Sequence, residues 1–278
     1  MRSKILLIIV WLFAVCVSAE TPVVILHNND VHSQLEPLPA DDPRNPDMGG
    51  ILRREAVCRQ IRSSQPNVLV FECGDFVQGT PYFNFFKGEA EIELMNYIRP
   101  TAVTLGNHEF DNGIRFLAKM LERADFPVVC TNYDVNGTAL KKLVRPWLII
   151  KCGKSRIGII SANINPEGLI SKSDFEGITW LDPIKTAEKT ASWLKTRKQC
   201  DMVICLSHLG YKRDEGEVDD LTLAKMTTSI DVILGGHTHT FLKQPVIVNN
   251  LIQKPVIINQ VGKAGIYLGR LDVLVADR

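Results

Sequence analysis

The amino-acid sequence predicts an α/β protein with β-sheets at its centre and helices outside. Short apolar, β-branched runs recur along the chain, and helical patterns lie between several of them. Most of the apolar runs are continuous instead of alternating, which indicates strands that are covered on both faces. The length of 278 residues and the apolar fraction of 45% fit one large globular domain.

The predicted elements follow one another in a mostly alternating order. The apolar runs that predict strands occupy residues 23–26, 68–71, 102–105, 128–130, 147–150, 157–160, 202–206, 232–234, 256–258 and 271–275. The helical patterns occupy residues 50–61, 89–98, 114–124, 183–199 and 221–228. A turn at Gly153-Lys154, between two strand-like runs, predicts a hairpin and therefore some antiparallel pairing.

Polar residues follow five of these strands at the point where each strand ends. The strand ends carry Asp30 and His32, then Asp75, then Asn107 and His108, then His208, and last His237 and His239. Five of the six histidines therefore fall at strand ends. In open α/β sheets, ligand sites gather beyond the carboxyl ends of the strands. The sequence thus predicts that these side chains share one site.

The donor types at these strand ends indicate metal binding. Carboxylate, imidazole and amide donors without clustered thiolates favour a divalent transition ion such as Mn, Zn, Fe or Co over a structural cysteine–zinc site. Seven candidate donors are too many for one tetrahedral ion and suit two ions that share a bridging carboxylate. Two ions about 3.5–4 Å apart are a recurrent device for attacking phosphate esters.

The strand-end sequences resemble the five blocks of the calcineurin-like metallophosphoesterases. These blocks read Asp30-Val31-His32, Gly74-Asp75, Gly106-Asn107-His108-Glu109-Phe110-Asp111, Ser207-His208 and Gly235-Gly236-His237-Thr238-His239. Residues 26–32, 49–54 and 106–113 further resemble the 5′-nucleotidase family of periplasmic and surface nucleotide hydrolases. The resemblance covers nearly all of the chain after the N-terminal segment. It implies a four-layer α/β/β/α sandwich with two metal ions between the sheets.

The resemblance also implies a ligand set for each ion. One ion is expected to bind Asp30, His32, Asp75 and His239, and the other Asp75, Asn107, His208 and His237, so that Asp75 bridges the two. Many relatives carry Asn or Gln where His239 stands, and this difference bears on metal preference.

His108 and Asp111 are the predicted catalytic residues. His108 is left free of metal and is expected to face the phosphoryl group, where it stabilises charge or protonates the leaving oxygen. Asp111 is expected to hold the other ring nitrogen of His108, and it is also placed to cap the helix predicted from residue 114. The expected reaction is in-line attack of a metal-bound water on phosphorus, with inversion and without a covalent enzyme intermediate.

The sequence departs from the 5′-nucleotidase pattern after the last predicted strand. Typical family members carry a second, C-terminal domain whose aromatic residues stack on the nucleobase, and we expect this chain to lack a counterpart of it. We therefore expect residues 20–278 to form the metallophosphoesterase catalytic domain. The expected substrate is a small phosphoester, a nucleotide in the first place, and a separate chain could supply the nucleotide-binding domain.

The N-terminal segment predicts export. Arg2 and Lys4 precede a wholly apolar run over residues 5–17, and small residues then offer a cleavage point before Glu20. Residues 1–19 thus read as a signal peptide, with an uncleaved anchor as the alternative, and the mature chain is expected to be periplasmic or extracellular. The net charge of +1 gives no indication of a nucleic-acid polymer or an anionic membrane as partner.

Two other functions are compatible with the same residues. One is a thiosulfohydrolase-like enzyme, because such enzymes resemble this family and also use two metals. The other is a metal-stabilised binding subunit without turnover. The presence of both His108 and Asp111 favours an enzyme over such a subunit.

Overall fold

A computed structural model describes residues 20–276 of the chain. These residues form two six-stranded sheets, a two-stranded pair and six α-helices. The predicted signal peptide, residues 1–19, lies outside the described residues. Within residues 20–276, no helix has both the length and the apolar character that crossing a lipid bilayer requires.

The first sheet contains the N-terminal strands and the last strand of the chain. Its members are β1 (Glu20–Asn28), β2 (Val68–Cys73), β3 (Ala102–Thr104), β4 (Val128–Val129), β6 (Val144–Arg145) and β14 (Gly269–Ala276). They lie in the order β14-β1-β2-β3-β4-β6. All neighbours are parallel except β14, which pairs antiparallel with β1.

The second sheet contains the C-terminal half of the strands. Its members are β7 (Leu148–Cys152), β8 (Ser155–Asn163), β10 (Met202–His208), β11 (Val232–Leu234), β12 (Val246–Asn249) and β13 (Pro255–Asn259), in the order β12-β13-β11-β10-β8-β7. The predicted hairpin is confirmed, because β7 and β8 pair antiparallel with Cys152 opposite Ser155. The remaining pair is β5 (Tyr133–Asp134) with β9 (Thr179–Trp180).

The helices lie between strands along the chain, as predicted. They are α1 (Ile51–Ser64), α2 (Pro81–Phe86), α3 (Glu89–Ile98), α4 (Gly113–Leu121), α5 (Pro183–Thr196) and α6 (Asp220–Met226). Carboxylate caps fix two of the starts, because Asp182 accepts from the Lys185 amide and Asp219 accepts from the Thr222 amide. Each cap satisfies a backbone donor that the first helical turn leaves unpaired.

Three apolar cores separate four layers. Along β1, Val23 and Ile25 point into the core between the two sheets, whereas Val24 and Leu26 pack under the helices of the first sheet. The third core lies between the second sheet and α5 and α6, where Ala187 and Leu223 are fully buried. Because side chains alternate along a strand, each strand contributes residues to the cores on both faces of its sheet. The observed α/β fold confirms the predicted α/β/β/α sandwich.

Candidate metal centre

The seven predicted metal-binding residues lie together beyond the carboxyl ends of the parallel strands. In the first sheet they follow β1, β2 and β3, and in the second they end β10 or follow β11. The set comprises Asp30, His32, Asp75, Asn107, His208, His237 and His239. Since parallel strands share one direction, their ends bring these loops to the same edge of the sandwich.

One group of donors, called group one below, consists of Asp30, His32 and His239. The Nε2 atoms of His32 and His239 lie 2.9 Å apart, and Nε2 of His239 lies 3.5 Å from Oδ1 of Asp30. One ligand atom from each residue lies within 4.8 Å of the other two. This spacing lets the three side chains hold a single cation.

A second group of donors, called group two, consists of Asp75, His208 and His237. Oδ2 of Asp75 lies 3.0 Å from Nε2 of His208, and Oδ1 of Asn107 lies 3.1 Å from Nδ1 of His237. Asp75 also forms a cluster of the same kind with His32 and His108. Its carboxylate therefore lies between the two groups.

The protonation of the histidines fits metal binding. A histidine must offer a neutral nitrogen to bind a cation. Burial lowers the pKa of His32 to about 4 and that of His237 to about 3, so both rings are neutral near pH 7. Burial also lowers the pKa of His239, and the ammonium of Lys263 lowers it further.

His208 and Asp75 need a positive charge between them. Nδ1 of His208 lies 2.7 Å from the carbonyl oxygen of Cys73, which can only accept, so Nδ1 carries a proton and Nε2 faces Asp75. Burial favours the neutral imidazole, yet the Asp75 carboxylate raises the pKa of His208 to about 10. Burial likewise opposes ionisation of Asp75, but His208 holds the pKa of Asp75 below its ordinary value. A proton or a metal cation satisfies this pair, and the donor set therefore suits a metal.

Close backbone approach explains a glycine next to the donors. A Cβ on Gly106 would lie 2.2 Å from Oδ1 of Asp75 and 2.6 Å from Nε2 of His208, and at such distances atoms overlap.

Five of the seven predicted donors have positive φ angles: Asp30, His32, Asp75, His237 and His239. Non-glycine residues in this region carry strain of roughly 1–3 kcal/mol each. Neighbouring groups must hold these loops in place.

Glu109 is one such group, although the sequence interpretation gave it no role. Its buried carboxylate accepts hydrogen bonds from the amides of Gly106, Asp75 and Phe76. It thereby joins the loop after β2 to the loop after β3. The sequence did contain a signal for this role, because Glu109 directly follows His108 in the block that resembles the family.

Gln260 and Asn29 were also missed. Gln260 accepts from the Thr240 amide and donates to the Gly236 carbonyl, and so it holds both ends of the loop that carries the two histidines. Asn29 donates to Oδ2 of Asp30 at 2.6 Å and to the Gly262 carbonyl at 2.7 Å. Gln260 directly follows β13, so the strand-end rule that identified the donors would have found it.

His108 lies next to both groups without being needed as a donor. Its Nδ1 lies 2.8 Å from Oδ2 of Asp111, and its backbone amide donates to Oδ1 of Asp75 at 2.9 Å. The hydrogen bond with Asp111 raises the pKa of His108. The predicted capping role of Asp111 is wrong, because Asn112 is the N-cap of α4. Asp111 contacts the imidazole ring instead.

Comparisons with known proteins agree with this arrangement. A family model described as calcineurin-like phosphoesterase matches residues 23–241. The chain is 31% identical over 274 residues to a snake venom 5′-nucleotidase of Crotalus adamanteus, with 91% of this chain and 45% of that protein covered. It is 32% identical over 275 residues to a 5′-nucleotidase of Homo sapiens, with 91% and 46% covered. The chain spans about half the length of these curated relatives.

A solved structure supports the same relationship. The crystal structure of a 5′-nucleotidase precursor from Thermus thermophilus superimposes with a TM-score of 0.83 and 33% identity. The match covers 91% of this chain and 51% of that one. Homology to 5′-nucleotidases therefore extends over sequence and fold alike.

Proposed function

We propose, from the premise that this chain belongs to the calcineurin-like phosphoesterase family, that it hydrolyses 5′-nucleotides and related phosphomonoesters with two divalent metal ions. The observation that carries the proposal is that groups one and two lie side by side with Asp75 between them. The relatives named as 5′-nucleotidases support the choice of substrate.

The donors divide between two ions. Asp30, His32, Asp75 and His239 would hold one of them. The other would be held by Asp75, Asn107, His208 and His237. When bound, the ions would offset the charge of the phosphoryl oxygens and make a water molecule more acidic.

His108 would act on the ester itself. Asp111 accepts from Nδ1 of His108, which orients the ring and stabilises its positive form, so that Nε2 can donate to a phosphoryl oxygen or to the leaving oxygen. About 30% of the His108 side chain is exposed, which leaves it accessible to a substrate. We propose that His108 is the catalytic residue and that Asp111 positions it.

An activity assay with a substrate panel tests the function. Purified residues 20–278 would be incubated with Mn²⁺ and with AMP, other 5′-nucleotides, 2′,3′-cyclic nucleotides or aryl phosphates, with and without chelator. We expect phosphate release that the chelator abolishes, and inverted configuration at a chiral phosphate. Absence of chelator-sensitive release from every substrate would reject the proposal and favour a binding subunit.

A variant of His108 tests the division of roles. H108A is expected to lower kcat by about 10²–10⁴-fold, a range typical of losing a general acid, while the metal content stays unchanged. D30N serves as the contrasting variant, because its loss of activity is expected to accompany loss of metal. Equal metal loss in H108A would place His108 among the ligands instead.

We also propose that the mature chain is exported to the periplasm or the outside of the cell. The apolar segment over residues 5–17 and the relative named as a venom protein support this. Cell fractionation and N-terminal sequencing of the secreted protein test it, with cleavage before Glu20 as the expected result. Retention of the whole chain in the cytoplasm would reject it.

A further inference from the structure

Two aromatic rings lie stacked and partly exposed on the surface of the domain. The rings of Phe241 and Tyr267 have centroids 4.2 Å apart and planes inclined by only 18°. Phe241 is 42% exposed and Tyr267 is 39% exposed. Each ring covers part of the other, and the pair still presents a flat apolar surface to solvent.

The segments that carry these rings are joined to the loops of group one. Phe241 follows His239 by two residues and bridges to Val261 in the neighbouring segment. On the other side, the Ala264 amide donates to the carbonyl of Asp30 at 2.8 Å. The carbonyl of Tyr267 accepts from the Asn28 side chain, also at 2.8 Å. Both rings are thus anchored beside the residues that would hold a phosphoester.

A cation accompanies the ring pair. Lys263 lies in the segment between Val261 and Tyr267, is exposed, and directly precedes Ala264, whose amide donates to the carbonyl of Asp30. An ammonium here attracts the anionic end of a phosphoester. The two rings meanwhile offer the apolar face that its other end needs.

We propose that Phe241 and Tyr267 form a stacking surface for a planar ring in the leaving group of a phosphoester, such as the base of the nucleoside that a nucleotide releases. This inference rests on the proposed function, because groups one and two must hold the phosphate end. A planar ring is favoured over an aliphatic group, since stacking on an aromatic face adds to the gain from burying apolar area.

A pair of substrates that differ only in the base tests the inference. AMP and ribose 5-phosphate carry the same phosphate and the same sugar, so the ratio of their kcat/KM values isolates the contribution of the base. We expect F241A to lower this ratio by about tenfold, which corresponds to about 1.4 kcal/mol, because the base loses the aromatic face on which it stacks. Y267F, which keeps the ring, is expected to keep the ratio.

A matched control comes from the same chain. Phe85 on α2 is 79% exposed, and F85A removes an exposed phenyl ring from a different element. F85A is expected to leave both kcat/KM values unchanged. If F241A lowers kcat/KM for both substrates equally, or for neither, the rings do not bind the base and the inference is overturned.

A binding measurement separates this inference from the proposed function. Titration calorimetry on the Mn²⁺-loaded protein gives the dissociation constants of AMP and ribose 5-phosphate without requiring turnover. If the wild-type protein releases no phosphate but F241A still removes a preference for AMP in binding, the inference stands and the proposed function fails. If phosphate is released and neither binding nor turnover depends on Phe241, only the inference fails.

Discussion

Acidification is expected to destabilise the fold through His27, a histidine that joins the two sheets. His27 lies in β1 of the first sheet and is fully buried. Its Nε2 lies 3.0 Å from the side-chain nitrogen of Asn259, which is the last residue of β13 in the second sheet. That amide nitrogen donates, so Nε2 must accept and the ring must be neutral.

The sign and size of the effect follow from the pKa of His27. Burial lowers this pKa from 6.5 to about 4. Between pH 6.5 and pH 4, His27 is therefore protonated in the unfolded chain and neutral in the folded chain. The free energy of unfolding falls as the pH falls through this range. Between pH 7 and pH 5 this linkage removes about 2 kcal/mol, and the full difference below pH 4 is about 3 kcal/mol.

Urea unfolding of the wild-type protein and of H27Q at pH 7 and at pH 5 measures this contribution. Glutamine keeps an oxygen that can accept from Asn259, and it does not titrate. With excess chelator present, other titrating groups contribute equally to both proteins and cancel in the difference. The wild-type protein is expected to lose about 2 kcal/mol more than H27Q. Parallel losses in the two proteins would refute the reasoning.

Three further predictions follow from contacts around His27 and the metal groups. A Cβ on Gly269 would lie 2.1 Å from Nε2 of His27, so G269A is expected to cost about 1–3 kcal/mol in chemical unfolding, and less in an H27A background. Chelation is expected to lower the Tm, since an ion at 100 times its Kd contributes about 2.7 kcal/mol, and an unchanged Tm would argue against bound metal. E109Q is expected to weaken Mn²⁺ binding by about 10–100-fold in calorimetry, because Glu109 holds the Asp75 loop; unchanged affinity would contradict this.

The sequence predicted most strands of the α/β fold because most of them are buried on both faces, whereas the four-layer arrangement was implied by the family resemblance. Such strands read as continuous apolar runs, and each predicted run from residues 23–26 to residues 271–275 corresponds to an observed strand. The two-residue strands β5, β6 and β9 were missed, since so short a ladder leaves little pattern in the sequence, and the four-residue edge strand β12 was missed as well. Helix α2 was missed for another reason: its six residues, Pro81–Phe86, are mostly aromatic and show no helical period.

The loops at the strand ends were predicted by composition and not by conformation. Residue type and position were enough to choose Asp75 or His237 as a candidate donor. They did not reveal that both adopt positive φ, nor that Glu109 and Gln260 hold these loops from behind. Those contacts join segments far apart in the chain, and a local sequence pattern cannot predict them. The capping role expected for Asp111 was wrong for a similar reason, because its carboxylate contacts the imidazole ring of His108 instead.

Each metal group takes donors from both sheets, and this determines how metal binding must act on stability. In group one, Asp30 follows the first sheet and His239 follows the second; in group two, Asp75 follows the first sheet, and His208 and His237 belong to the second. The backbone amide of His237 also donates to Asp30 across the same gap. A cation held by either group therefore joins the two sheets at the edge of their shared core. Separating the sheets would remove donors from both groups at once, so the free energy of metal binding must oppose unfolding of the whole domain and not only of its loops.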